Sequence, residues 1–116
     1  SELNRTVRGP MASTGSSVGP YRFRRASSGY ESVRVSLYTQ PGASAWVGTV
    51  SLQTSDPDQN SWVTIDNWTA DGATGFTPGG DCDIRWYFTS RTSGTPIGSI
   101  EAMLSLGFEE KLSSRL

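Results

Sequence analysis

No histidine occurs anywhere in these 116 residues, and cysteine occurs once, at Cys82. The first absence removes the side chain most often used as a general base near neutral pH. The second excludes an intrachain disulfide, so stability must come from packing or oligomerisation. Lysine is equally scarce, with Lys111 set against nine arginines; arginine is the better choice where planar, bidentate pairing with carboxylates is wanted at an interface. Charged residues make up 18% and hydrophobic residues 34% of the chain, below the roughly 25% and 45–50% of ordinary domains, the latter average counting glycine. Ser, Thr and Gly fill the gap, a mix suited to turns and half-buried strands. Nowhere do about 18 apolar residues follow one another, and the polar start shows no apolar run of signal-peptide length. The expectation is one domain with no membrane segment and no export signal. No nucleotide loop, metal-ligand cluster or nucleophile with a base is visible either, so the chain reads as a non-enzyme with no catalytic, cofactor-binding or metal-binding residues.

What is present is strand code. VRVSLY sets Val33, Val35 and Leu37 on one face and Arg34, Ser36 and Tyr38 on the other. In AWVGTVSLQ, Trp46, Val50 and Leu52 share a face with Gly48, whose mid-strand position suggests a bulge or a close backbone approach. SWVTID places Val63 and Ile65 opposite Trp62 and Thr64. CDIRWYFTS lines Cys82, Ile84, Trp86 and Phe88 on one face, with Asp83, Arg85, Tyr87 and Thr89 on the other. In the last strand Ile100, Ala102, Leu104 and Leu106 alternate with polar residues and Met103. NWTADGATGFTPGG reads as mostly loop. Six or seven short strands with frequent turns predict an all-β antiparallel β-sandwich, jelly-roll or Ig-like.

Charge divides the chain. Residues 1–29 hold Arg5, Arg8, Arg22, Arg24 and Arg25 against Glu2, a balance of +4, while residues 30–116 carry five basic and ten acidic side chains. The Gly-, Ser- and Pro-rich stretch GPMASTGSSVGP has no period of 2 or 3.6, so residues 1–29 read as a basic extended arm, 30–108 as the sandwich and 109–116 as a C-terminal tail. Within the arm, YRFRR alternates and can pair as an edge strand with Tyr21 and Phe23 buried. The same cluster also suits single-stranded nucleic acid, but the chain's pI of about 5.3 ranks that behind contact with protein.

Other constellations have plain explanations. Asp56, Asp58 and Asn60 have the spacing that opens a calcium loop, but Ser61 and Asn67 stand where glycine and glutamate belong, so a polar hairpin loop is preferred. Asp81 and Asp83 would share a strand face at ~7 Å, a common coincidence on exposed strands. Asn4 and Asn67 open glycan-acceptor triplets that, without a secretion signal, are read as accidental. Trp86 and Trp46 belong to the core; Trp62 and Trp68, with polar or loop neighbours, are the better candidates for a partner anchor or a sugar-stacking surface.

From Trp46 to Leu106 the order WVGTVSLQTS, SWVTIDNWTADG, DIRWYFTSRTSGT and a final alternating strand resembles small β-sandwich structural proteins of tailed-bacteriophage virions. In those proteins a G-T-V-x-L-x-x-S strand precedes a T-W-x-x-V-like strand and a Y-R-like strand ending in T-S-G-T. The resemblance implies a virion part: a capsid decoration or cement protein, or a neck, tail or baseplate component. It would be made in the host cytoplasm and contact the major capsid protein or other virion proteins. The residues themselves add the expectation of a homo-oligomer, since sandwich edge strands invite pairing, and of Arg5, Arg8, Arg22, Arg24, Arg25, Tyr21, Phe23, Trp62 and Trp68 as partner-binding residues. The alternative from a different class is a carbohydrate-binding module.

Overall fold

The computed structural model describes residues 6–24 and 32–103. They form eight strands: β1 (Thr6–Pro10), β2 (Ser17–Phe23), β3 (Ser32–Thr39), β4 (Val47–Ser55), β5 (Trp62–Trp68), β6 (Gly72–Phe76), β7 (Cys82–Ser93) and β8 (Pro96–Met103). All pair antiparallel in two four-stranded sheets, ordered β1-β8-β3-β6 and β2-β7-β4-β5. Every connection except the β4–β5 hairpin passes from one sheet to the other. The result is a β-sandwich-like all-β fold with no helix among the described residues.

The alternation in the sequence explains the core. Val33, Val35, Leu37 and Ile100 from the first sheet face Val50, Leu52, Ile84, Trp86 and Phe88 from the second, and all are buried. Apolar side chains at every second position point to one face of a pleated strand, so each sheet presents one greasy side and the two close on each other. Trp86 spans the layers: its indole N–H donates to the Ser99 carbonyl of β8 at 3.1 Å, giving the buried ring's polar edge its partner. Its ring lies over Gly98, where an added Cβ would stand 2.8 Å from Trp86 Cδ1. At one corner the Asp71 carboxylate accepts from the Thr39 backbone N–H, the Thr39 hydroxyl and the Trp46 indole N–H at 3.0, 3.1 and 2.8 Å. It ties the end of β3 and the approach to β4 to the β5–β6 turn.

Gly48 behaves as its position predicts. It sits at φ +152°, the β4–β7 register shifts on both sides of it, and a Cβ there would overlap the Ser90 carbonyl oxygen.

Two expectations are corrected. The extended arm is not an arm over its described part: residues 6–10 and 17–23 are strands β1 and β2, one in each sheet, with Met11, Val18, Tyr21 and Phe23 in the core. Gly and Pro had masked the pattern, but edge strands tolerate both because one side of the backbone has no ladder to complete. The described residues hold eight strands, since GATGF, expected as loop, is β6 at the edge of the first sheet, held by pairing with β3 and by Phe76 packed against the core. Val63 and Ile65 are 57% and 47% exposed; β5 is an edge strand whose register slips against β4 between Leu52 and Gln53, and Trp68 is the β5 side chain packed on the core. The segment 109–116, Leu104 and Leu106 lie outside the described residues.

Candidate functional site

Of the nine residues expected to bind a partner, the seven that are described do not form one cluster. Arg5 and Arg25 lie outside the described residues. Arg8 is exposed on β1, paired in register with Ser99, whereas Arg22 is exposed on the other sheet, opposite Asp83. Arg24 is turned inward: its Nη1 donates to the carbonyls of Phe23 and Cys82, both at 3.0 Å, and to Asp83 Oδ1 at 3.1 Å. Tyr21 and Phe23 are core residues at 8% and 1% exposure, as the alternation of YRFRR requires, and are lost to any partner. Trp68 packs edge-on against Trp86 with ring centres 5.1 Å apart and donates its indole N–H to Asp66 Oδ2 at 2.9 Å; it anchors β5 to the core. Of the seven that are described, Trp62 and Arg22 lie in one cross-strand row of a surface arrangement.

That arrangement lies on the outer face of the β2-β7-β4-β5 sheet. Cross-strand register sets three rows: Arg22, Asp83, Ser55 and Trp62; then Arg85, Gln53 and Thr64; then Tyr87, Ser51 and Asn67. From β7 the Arg85 side chain reaches across β4, so that its Cζ stands 4.1 Å from the centre of the Trp62 ring on β5 and 4.8 Å from that of Tyr87. Its Nε donates to Gln53 Oε1 at 2.7 Å, and Gln53 Nε2 donates to the Thr64 hydroxyl at 3.1 Å. Burial lowers the Arg85 pKa, against a smaller raising influence of Tyr87; an arginine stays cationic in water all the same. In the third row Ser51 donates its one hydroxyl proton to Asn67 Oδ1 at 2.6 Å, so the Thr89 hydroxyl, 2.5 Å away, is the donor to Ser51. The face is thus a flat lattice of aromatic rings, hydroxyls and amides around one fixed guanidinium.

A concave feature of about 320 Å³ lies between β5 and the β6–β7 connection, with Thr54, Ile65, Phe76, Pro78, Asp81 and Cys82 among its walls. Burial pushes the Cys82 thiol pKa up, and the charges of Asp83 and Asp81 add to that against the opposing effect of Arg24. A reactive cysteine needs the opposite shift. Asp83, wholly buried and paired with Arg24, is out of reach of any substrate. The Asp56 region is a capped turn, Asp56 Oδ1 accepting the Asn60 N–H at 3.0 Å.

Arg85 and Tyr87 were legible as outward residues of β7, but their conjunction with Trp62 was not, because it depends on β4 lying between β5 and β7 and on the register of both pairings. Taken together these features define an all-β, two-sheet protein with a polar-aromatic outer sheet face. Comparison with protein-family models, with curated proteins and with solved structures gives no match.

Proposed function

We propose that this chain is a non-enzymatic structural protein of a tailed-phage virion, a jelly-roll sandwich that binds the capsid shell as a decoration or cement protein and stabilises contacts between shell subunits. One observation carries the proposal: the strand order β1-β8-β3-β6 over β2-β7-β4-β5, all antiparallel. Eight strands wound alternately into two sheets in this order support the jelly-roll over the Ig-like alternative, whose sheets hold other strand sets. Jelly rolls recur in viral shells and in lectins. The phage resemblance of the segment from Trp46 to Leu106 favours the shell.

The mechanism is surface burial. A stable contact needs about 1,000 Å² or more, and the two outer sheet faces and the open edges at β1, β6, β2 and β5 are the surfaces that offer it; edge strands invite pairing with further copies or with a shell subunit. The test is co-sedimentation of the purified chain with empty shells of the phage that encodes it. Saturable binding at a fixed ratio per shell subunit, with a raised shell melting temperature, supports the proposal. A chain that stays in the supernatant at every concentration refutes it.

A further inference from the structure

We infer that the outer face of the β2-β7-β4-β5 sheet is a binding site for an acidic oligosaccharide, with Trp62 and Tyr87 as stacking rings and Arg85 as the carboxylate receptor. The inference is independent of the virion proposal.

Three features on this face point to a ligand. First, Arg85 is fixed in place but not neutralised. The Gln53 side chain holds its Nε and the Trp62 and Tyr87 rings lie against its Cζ, yet among the described residues the one ion pair is Arg24–Asp83. Its two terminal nitrogens make no hydrogen bond to a described residue. A guanidinium oriented by its neighbours has already lost the freedom that binding would otherwise remove, and its fork matches a carboxylate bidentately. Second, the rows crossing this face hold two cations without an acidic partner among the described residues, Arg22 and Arg85, and one acid, Asp83, which is buried and paired. The residues of these rows sum to a positive charge on a chain of net charge −1. Third, the surrounding groups are those that read sugar hydroxyls: Thr64, Thr89 and Asn67 are exposed, and with Asn67 Oδ1 occupied by Ser51 its amide nitrogen remains a donor. Trp62 is half-exposed, and no described residue accepts its indole N–H.

A ligand that satisfies all three carries an apolar ring face for Trp62, hydroxyls for the amide and hydroxyl lattice, and a carboxylate for Arg85. A uronic-acid or sialic-acid glycan has that chemistry. Single-stranded nucleic acid also combines rings with negative charge, but its non-specific sites use a basic groove that follows many phosphates, whereas this face offers two free cations on an acidic protein.

The experiment titrates the full chain with oligogalacturonate and, separately, with sialyllactose, following tryptophan fluorescence and the NMR signals of Trp62 Nε1–H and Arg85 Nε–H. Saturable shifts at both groups with at least one probe, weakened by added salt, are expected. Trp62→Ala and Arg85→Gln should each weaken binding by about tenfold or more while the melting temperature shows the fold intact. Arg85→Lys should fail to restore it, because the ammonium keeps the charge but not the plane. Which probe binds identifies the acid. No response to either probe overturns the inference. So does equal binding of a neutral maltooligosaccharide, which removes the role of charge, or tighter binding of an oligothymidylate at the same signals, which makes the face a nucleic-acid site.

Discussion

Replacing Arg24 by methionine separates two accounts of the basic N-terminal region. Were Arg24 a contact for a partner, its loss would leave the isolated protein as stable as before. In the structure it is an internal strut. Its Nη1 serves two backbone carbonyls and Asp83 Oδ1, all within 3.1 Å, and Asp83 has no exposed surface while its Oδ2 has no hydrogen-bond partner among the described residues. Removing one member of a buried ion pair costs about 3–5 kcal/mol, because the other charge is stranded. The Arg24 side chain is 22% exposed, so water recovers part of that and a loss of about 2–4 kcal/mol is expected. A domain whose total stability is about 5–15 kcal/mol would lose a large share, and its melting midpoint should fall by roughly 10 °C. Urea unfolding of the wild type, Arg24→Met, Asp83→Leu and the double variant completes the test. The double variant should recover most of the loss, since apolar groups of similar size can replace a buried pair at little cost. A single variant within about 0.5 kcal/mol of wild type, or strictly additive losses, would refute the strut.

Gly48→Ala should destabilise by about 2–4 kcal/mol, combining backbone strain at φ +152° with overlap on the Ser90 carbonyl; Gly9→Ala, where a Cβ meets nothing within 4 Å, is the control and should melt with the wild type. Asp71→Ala removes the acceptor shared by Thr39 and Trp46 and should cost about 1–3 kcal/mol in urea unfolding, with altered near-ultraviolet dichroism from Trp46. Cys82 should alkylate more slowly in the native protein than in the unfolded chain at pH 8, because its raised pKa keeps it protonated. The sign for stability follows: the folded state holds this proton more tightly, so the contribution is complete below the thiol's unfolded pKa and is lost as pH rises through the folded one. A native thiol that reacts as fast as the unfolded one would contradict the burial assigned to it.

Period-2 patterning made the core strands readable. Val33, Val35 and Leu37, and Ile84, Trp86 and Phe88, were assigned inward from alternation alone and are buried. Gly48 announced its bulge because nothing else fits mid-strand there. Strands β1 and β6 were hidden because their residues, TVRGP and GATGF, are set by pairing with β8 and β3 and carry little hydrophobic code. The charge contrast that suggested an arm was real, but charge does not report backbone pairing: Arg24 and Arg22 are neighbours in an alternating strand region, one pinned to Asp83 and the other in solvent. The Trp62–Arg85–Tyr87 cluster spans three strands, from β7 across β4 to β5, and no local pattern encodes which strands lie side by side or in what register.

Counting copies of this chain per purified virion, by mass spectrometry with isotope-labelled standards, tests the central claim most directly. A shell-decorating protein should be present on the order of hundreds of copies per particle, in a fixed ratio to the major capsid protein. About a dozen copies or fewer would place the chain in a ring at the neck or tail, and none would remove it from the particle; either result contradicts the decoration account.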